Sequence, residues 1–430
     1  MRWVKSETAA FRKTLAETGM RGYKDSAKVA GVVAEVLARV RKDGDGALAE
    51  YTLRFDGFDP RKKGFAVSRK EIDAAWKRVP GSFLASLSLA AERIESFHRH
   101  QRQSGFTAEI PGAVVGQRVT PVSRAGVYVP GGKAAYPSTL LMNAIPARLA
   151  GVREVYAACA APGGRVPDVV LAAARIARVS EVYRIGGAQA IAAFAFGTES
   201  IPKVDVVAGP GNAYVTEAKR QVYGVVGIDM LAGPSELVVL ADDSAKAAYV
   251  AADLLSQAEH DEDAFVALVT DSEYLSGKVE AELKKQAKRL PRREILAASL
   301  SRSLGFLVRS LSDGVDAVNA IAPEHLSIMV ENPWAALEGI RNAGTAFLGP
   351  FSPVAVGDYI AGINHILPTG GAARFSSPLG VANFLKRTNV VSYKVRALAS
   401  DAPHVVRLAG KEGLAAHAQA VLARRTEGEA

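Results

Sequence analysis

From about residue 115 the chain repeats one move: a short apolar run, a glycine or proline, then an alanine-rich helical stretch. AGVYVP, REVYAAC, EVYRIG and VDVVAG make a first series, and ELVVLAD, AFVALVTD, GFLVRS, LSIMV and TAFLG make a second. Runs this short and this uniformly apolar suit strands buried on both faces. The helical stretch after each supplies the long crossover that a parallel neighbour requires. The pattern predicts an α/β fold with two doubly wound parallel sheets.

The flanks follow a helical period instead. Ser26 is placed to cap a helix carrying Val29, Val32, Val33, Val36, Leu37 and Val40 and ending near Gly44. SRKE, from Ser68, has capping-box form and opens a second helix; PGSFLASLSLAAERIESFHRHQR reads as a third. Around Pro378 the alternation stops, and the rest reads as a basic linker followed by the helix EGLAAHAQAVLARR. Small helical appendages are expected at both ends.

Several classes are excluded by composition. No uncharged apolar run reaches the roughly 18 residues of a membrane span, and MRWVKSETAAFRK lacks the apolar core and cleavage site of a signal peptide. A cytoplasmic protein without membrane association is expected. The single cysteine, Cys159, rules out an intramolecular disulfide or a thiolate cluster, and in EVYAACAAP it reads as inert packing at a buried strand end. The net charge of +9 arises from 53 basic residues scattered among 44 acidic ones, the pattern of solvated helix faces rather than of a nucleic-acid surface. The resulting positive field favours an anionic dinucleotide or a small acid.

In parallel sheets the turns after the strands carry function. Three are glycine-rich: YVPGGKAAYPS, IGGAQAIAAFAFG and VAGPGNAYVTEAK. None matches G-x-G-x-x-G, so each alone is only a tight turn; together they suggest a nucleotide cleft.

Histidines and acids narrow the chemistry. His98 and His100, in HRHQRQ, read as an exposed helix end, and His404 follows a proline in the expected linker. In SQAEHDED, Gln257 and His260 share one face of a helix end and together could hold one ion, although a polar helix end is the plainer reading. Glu324 and His325, in PEHLSIMV, are neighbours before a strand. An extended chain points them opposite ways, so a shared metal is awkward and two proton-transfer roles around one substrate are possible. VGDYIAGINHILPT sets Asp358 and His365 among apolar residues with little to satisfy them locally.

The phrases VYVPGGKAAYPSTLLMNAIPARLAGV, GGAQAIAAFAFGT, VAGPGNAYVTEAKRQV, IDMLAGPSELVVLAD, DLLSQAEHD, PEHLSIMV, VGDYIAGINHILPTGGAARFSSPLGVANFLKRT and EGLAAHAQA resemble, in order, the successive motifs of the histidinol dehydrogenase family. The resemblance implies a zinc- and NAD-dependent oxidation of L-histidinol through L-histidinal to L-histidine, consuming two NAD. It implies Gln257, His260, Asp358 and His417 as zinc ligands and Glu324 and His325 as the acid/base pair. Ser235, His365 and Glu412 are placed around the substrate together with His325 and the zinc ligands. Tyr128, Gln189 and Asn212 match positions that contact NAD. It further implies a homodimer in which the C-terminal tail completes the partner's site. The expected division is an N-terminal arm over 1–21, a larger Rossmann-like domain from 22–127 and 236–379, a second Rossmann-like domain over 128–235, and a tail over 380–430.

The residue types suit that reaction. Oxidising an alcohol to an acid needs two hydride acceptors, a base for the hydroxyl and a base that delivers water to the aldehyde. His325, with an ordinary pKa near ~6.5, suits the first task and the Glu324 carboxylate the second. One zinc ligand is a neutral amide, a weak donor, and such a site readily takes nitrogen ligands from the substrate. The ion is therefore expected to position histidinol. Three rivals are weighed: a related zinc and NAD dehydrogenase of another small alcohol, such as a sulfonated diol; a zinc hydrolase, whose H-E-x-x-H arrangement this chain lacks; and a non-catalytic dinucleotide-binding protein, which gives no reason for a metal-like set beside an acid/base pair.

Overall fold

The computed structural model describes residues 1–6, 8–21, 27–131 and 135–424; Ser26 and the middle of the first glycine turn lie outside the described residues. The chain divides into two units, Met1–Gln101 with Ser123–Phe384, and Arg102–Val122 with Leu385–Ala430. Its strands are β1 (Arg2–Lys5), β2 (Phe106–Ile110), β3 (Ala113–Pro121), β4 (Arg124–Val129), β5 (Glu154–Cys159), β6 (Glu181–Tyr183) and β7 (Val206–Ala208). They continue with β8 (Gly227–Ile228), β9 (Glu236–Ala241), β10 (Phe265–Thr270), β11 (Leu304–Leu307), β12 (His325–Met329), β13 (Thr345–Leu348) and β14 (Leu385–Tyr393).

The first unit holds both series of apolar runs, each as a parallel sheet. One has the order β6-β5-β4-β7-β8 and the other β1-β11-β10-β9-β12-β13. With β1 set aside the two orders are the same, third-second-first-fourth-fifth, and each sheet reverses direction of growth beside its first strand, at β4/β7 and at β9/β12. This is the Rossmann-like topology, present twice. β1 was not expected in a leading block that reads as helical. Four residues with a charge at each end carry little period, and β1 is held by packing: a Cβ on Gly305 of β11 would lie 2.3 Å from the Trp3 ring.

Burial on both faces follows from the two-residue period of a strand. Leu237, Val239 and Ala241 join Val266 and Leu268 in a core with the helix Ala247–Ala258, while Val238 and Leu240 join Ala267 and Val269 in a core on the other face with the helix Leu311–Ile321. In the five-stranded sheet Tyr156, Ala158, Tyr183 and Val207 pack with the helix Gly187–Phe196 and with the long helix Ala27–Asp56. That helix breaks at Gly44 (φ 52°, ψ −130°), where its end was expected, and then resumes so that Leu48 and Tyr51 reach the same core.

The Ser68 capping box forms as expected: Ser68 Oγ accepts from the Glu71 N–H at 3.3 Å, and Glu71 Oε2 accepts from the Ser68 N–H at 3.0 Å. His98 corrects the reading of an exposed helix end. It falls one turn after Ile94 on the buried face of the helix Gly81–Arg99, where its Nδ1–H donates to the Ile94 carbonyl at 2.8 Å and Nε2 accepts from Asn364 Nδ2 at 3.3 Å. Cys159 is buried at the end of β5, where burial pushes its thiol up to about 12.

The second unit is built on an antiparallel sheet, order β14-β3-β2, followed by the helices Val395–Lys411 and Ala415–Leu422. The expected linker is therefore partly a nine-residue strand, and His404 lies in a helix. β14 is exposed along almost its whole length, so no apolar alternation marks it in the sequence. Among the described residues no helix is long and apolar enough to cross a membrane.

Candidate active site

His325 and Glu236 open β12 and β9, neighbouring strands whose register sets His325 opposite Leu237. His325 Nδ1 lies 2.8 Å from the Glu236 carbonyl. A carbonyl only accepts, so Nδ1 carries the proton and Nε2 the lone pair of the neutral ring. Nε2 is buried without a hydrogen-bond partner, 3.8 Å from Asp358 Oδ1. Glu324 lies just outside the strand, after Ala322 turns the chain through a left-handed conformation (φ 52°). The strict alternation expected for an extended chain therefore fails here, and Glu324 Oε2 comes within 3.5 Å of His325 Nδ1 while accepting from the Glu236 N–H at 2.7 Å.

Electrostatics follows from this packing. Burial pushes the Glu324 carboxyl well above its ordinary range, with His325 opposing the rise. Burial also acts against a charged His325, but the carboxylates of Glu324 and Asp358 outweigh it and raise the imidazole. Asp358 is subject to the same burial, yet His325, His365 and His260 hold its carboxyl below the usual range. His260 keeps an exposed rim but is shifted down by desolvation, partly offset by Asp358.

The helix Ala247–Ala258 delivers Gln257, with His260 just beyond its end, and packs against Val354–Tyr359, the helix of Asp358. Gln257 Oε1 is buried and has no hydrogen-bond partner, an acceptor awaiting a cation or a donor. Among the described residues no three His, Cys, Asp or Glu side chains could hold a metal by themselves. An amide oxygen, an imidazole and a carboxylate are nonetheless donors of the kinds zinc accepts, and the orphaned amide fits an ion there. Four residues before Gln257 on the same helix, Asp253 is buried beneath this site, accepts from Ser327 Oγ at 3.4 Å and is pushed up to about 6 by burial.

His365 donates from Nδ1 to the Asp358 carbonyl at 2.9 Å, and its Nε2 accepts from Thr139 Oγ1 at 3.2 Å. Thr139 belongs to the helix that follows β4, so this bond joins the amino edge of the six-stranded sheet to the carboxyl edge of the five-stranded one. Ser235 stands half-buried one residue before β9. Glu412 and His417 lie in the second unit, both exposed, at the end of Val395–Lys411 and on Ala415–Leu422.

Function was expected in the turns after the strands. The acid/base candidates instead stand at amino ends, and only the glycine turns follow that rule, at the carboxyl ends of β4, β6 and β7. Tyr128, in β4, accepts the Gly187 N–H on its hydroxyl at 3.0 Å, and burial pushes that hydroxyl up to about 12. The helix Gly187–Phe196, which carries buried Gln189, has no side-chain cap from its N-cap residue Gly186, and its first amide is the one Tyr128 accepts. Asn212 caps Ala213–Val222, accepting from the N–H groups of Tyr214 and Val215 at 3.1 Å each. Gly209 has φ 115°, and a Cβ there would lie 2.3 Å from the Tyr128 carbonyl oxygen. Its carbonyl accepts from Lys219 at 2.9 Å and its N–H donates to Asp229 at 2.7 Å; Lys219 and Asp229 form a buried ion pair.

Arg21, Thr139, Glu236 and Thr369 were not singled out from the sequence. Thr369 Oγ1 accepts the Gly233 N–H at 2.5 Å, and the Gly370 N–H donates to Glu236 at 2.9 Å, so the GINHILPTGG segment is tied to the one that opens β9.

The sequence profile of the histidinol dehydrogenase family matches residues 20–425. A histidinol dehydrogenase of Carboxydothermus hydrogenoformans is 50% identical across 91% of this chain and 93% of its own. One from Wolinella succinogenes is 46% identical across 98% of each. The crystal structure of histidinol dehydrogenase from Elizabethkingia anophelis matches with a TM-score of 0.94 at 35% identity, over 100% of this chain and 99% of that one.

Proposed function

The chain belongs to the histidinol dehydrogenase family, and on that footing we propose that it oxidises L-histidinol through L-histidinal to L-histidine in histidine biosynthesis, with zinc and two NAD. The observation that carries the reading is the setting of His325: Nδ1 fixed as donor to the Glu236 carbonyl, and Nε2 buried without a hydrogen-bond partner beside Asp358. Mixing the zinc-loaded protein with L-histidinol and NAD should yield two NADH per histidine; absence of nicotinamide reduction would overturn the proposal.

In this reading His325 takes the hydroxyl proton on Nε2, the only nitrogen of the neutral ring that can accept it. Glu324, held against the same backbone, takes a proton from the water that adds to the aldehyde, and His325 serves again when the hydrate is oxidised. Each NAD, when bound, supplies a hydride acceptor. We assign its contacts to Tyr128, Gln189 and Asn212, around the helix start at Gly187.

Gln257, His260 and Asp358 would hold zinc, with His417 of the partner subunit as fourth ligand in a homodimer. When bound, zinc supplies an anchor for the nitrogen donors of the substrate. Ser235, His365 and Glu412 would line the amino-alcohol. Combining a His417→Ala chain with an Asp358→Ala chain should restore part of the activity if sites are shared. We place the enzyme in the cytoplasm.

A further inference from the structure

Both acid/base candidates are held by the main chain of one residue. The N–H of Glu236 donates to Glu324 Oε2 at 2.7 Å, and its carbonyl accepts from His325 Nδ1 at 2.8 Å. The two peptide groups flanking a single Cα thus fix a carboxylate and an imidazole together. Glu236 is also the first residue of β9, a position where a strand end is free to fray unless it is tied down.

The tie is its side chain. Glu236 Oε1 accepts from Arg21 Nε at 3.0 Å and Oε2 from Arg21 Nη2 at 2.9 Å, the two-pronged geometry that gives an arginine and a carboxylate one relative orientation. Oε1 also accepts the Gly370 N–H at 2.9 Å. The Glu236 side chain is 4% exposed and that of Arg21 17%. Arg21 is set in turn: its guanidinium lies 4.1 Å from the Phe265 ring centroid and donates to the Thr18 carbonyl. Neither charged group hydrogen-bonds His325 Nε2, so nothing in this arrangement calls for a proton-transfer role of its own.

We propose that Glu236, gripped by Arg21, is a positioning residue for both half-reactions, acting through its backbone on Glu324 and His325 at once. The role rests on the proposed oxidation of histidinol. A shift of the Glu236 Cα would lengthen both bonds together, and sub-ångström displacement of a reacting group is costly to rate. The proposal differs from a purely stabilising ion pair in what it does to turnover: the loss should fall on kcat, and equally on histidinol and on histidinal as starting substrate.

The test compares Glu236→Gln, Arg21→Ala and Arg21→Lys with the wild-type zinc enzyme. Glu236→Gln keeps the shape and loses the ionic grip. We expect kcat lower by about 10- to 100-fold for both substrates, with KM values within about threefold and zinc content unchanged. Arg21→Lys should lose less than Arg21→Ala, and Arg21→Ala combined with Glu236→Gln should cost little more than either alone. Should Glu236→Gln not fold, the arginine variants carry the same comparison. A kcat within twofold of wild type, a loss in KM or zinc content alone, or an effect on one half-reaction only overturns the positioning role. A wild-type enzyme inert toward histidinol and NAD sinks the assigned reaction itself.

Discussion

Nε2 of His325 stands 3.8 Å from Oδ1 of Asp358, near enough for each charge to set the proton affinity of the other and too far for a hydrogen bond. The separation lets the two groups serve different masters. In the proposed reading Asp358 turns to a cation with Gln257 and His260, while Nε2 of the imidazole stays clear of hydrogen-bond partners for the substrate.

His325→Asn tests which group takes the alcohol proton. The amide preserves a donor for the Glu236 carbonyl but has no basic nitrogen, so kcat should fall by about 10²- to 10⁴-fold with zinc content and NAD affinity retained. Steady-state kinetics with metal analysis would show this. Retention of most hydride transfer, with activity abolished only by a chelator, would instead make the metal the activating group.

Gln257→Leu should have opposite effects with and without zinc. In the metal-free protein it removes a buried acceptor that has no partner, for a gain of about 1–3 kcal/mol. With zinc it removes a ligand, so the rise in melting temperature on adding the metal should shrink. Thermal melts of both proteins before and after zinc addition make the comparison.

Asp253 predicts a pH dependence of stability. Burial lifts its pKa from 3.8 to about 6, so the folded protein binds this proton more tightly than the unfolded chain. Stability is therefore lost as pH rises through that window and stays reduced above it. Asp253→Asn, which can still accept from Ser327, should be more stable than wild type by about 3 kcal/mol above pH ~7 and equal to it below pH ~3. Urea midpoints at a series of pH values test the sign.

Lys219→Met should destabilise by about 3–5 kcal/mol, because it leaves the Asp229 carboxylate buried and unpaired. Adding Asp229→Asn removes that charge and should recover part of the loss. Both variants should raise the KM for NAD, since this pair pins both backbone groups of Gly209.

What was legible in the sequence depended on burial. Strands buried on both faces announce themselves as apolar runs, which is why β9, β10 and β12 could be read directly. β14 is exposed and β1 is four residues long, so neither carries a period to read. His98 was hidden by charged neighbours, although its spacing from Ile94 held the signal. Helical spacing suggested Gln257 with His260, whereas Asp358 stood out only as a carboxylate with little to satisfy it among apolar neighbours, and its link to that pair came from family motifs. Arg21 and Glu236 lie 215 residues apart, and no local pattern links an arginine at the end of one segment to a glutamate at the start of another.

The repeated strand order has a consequence for stoichiometry. Beyond β9 and β10 the six-stranded sheet carries Asp242, Asp243 and Asp271, and the repulsion of the first two raises Asp271 further than burial alone. An edge this acidic disfavours a pyrophosphate. On the proposed reaction the glycine turns of the five-stranded sheet are then the one expected dinucleotide site, and the two oxidations would use it in turn.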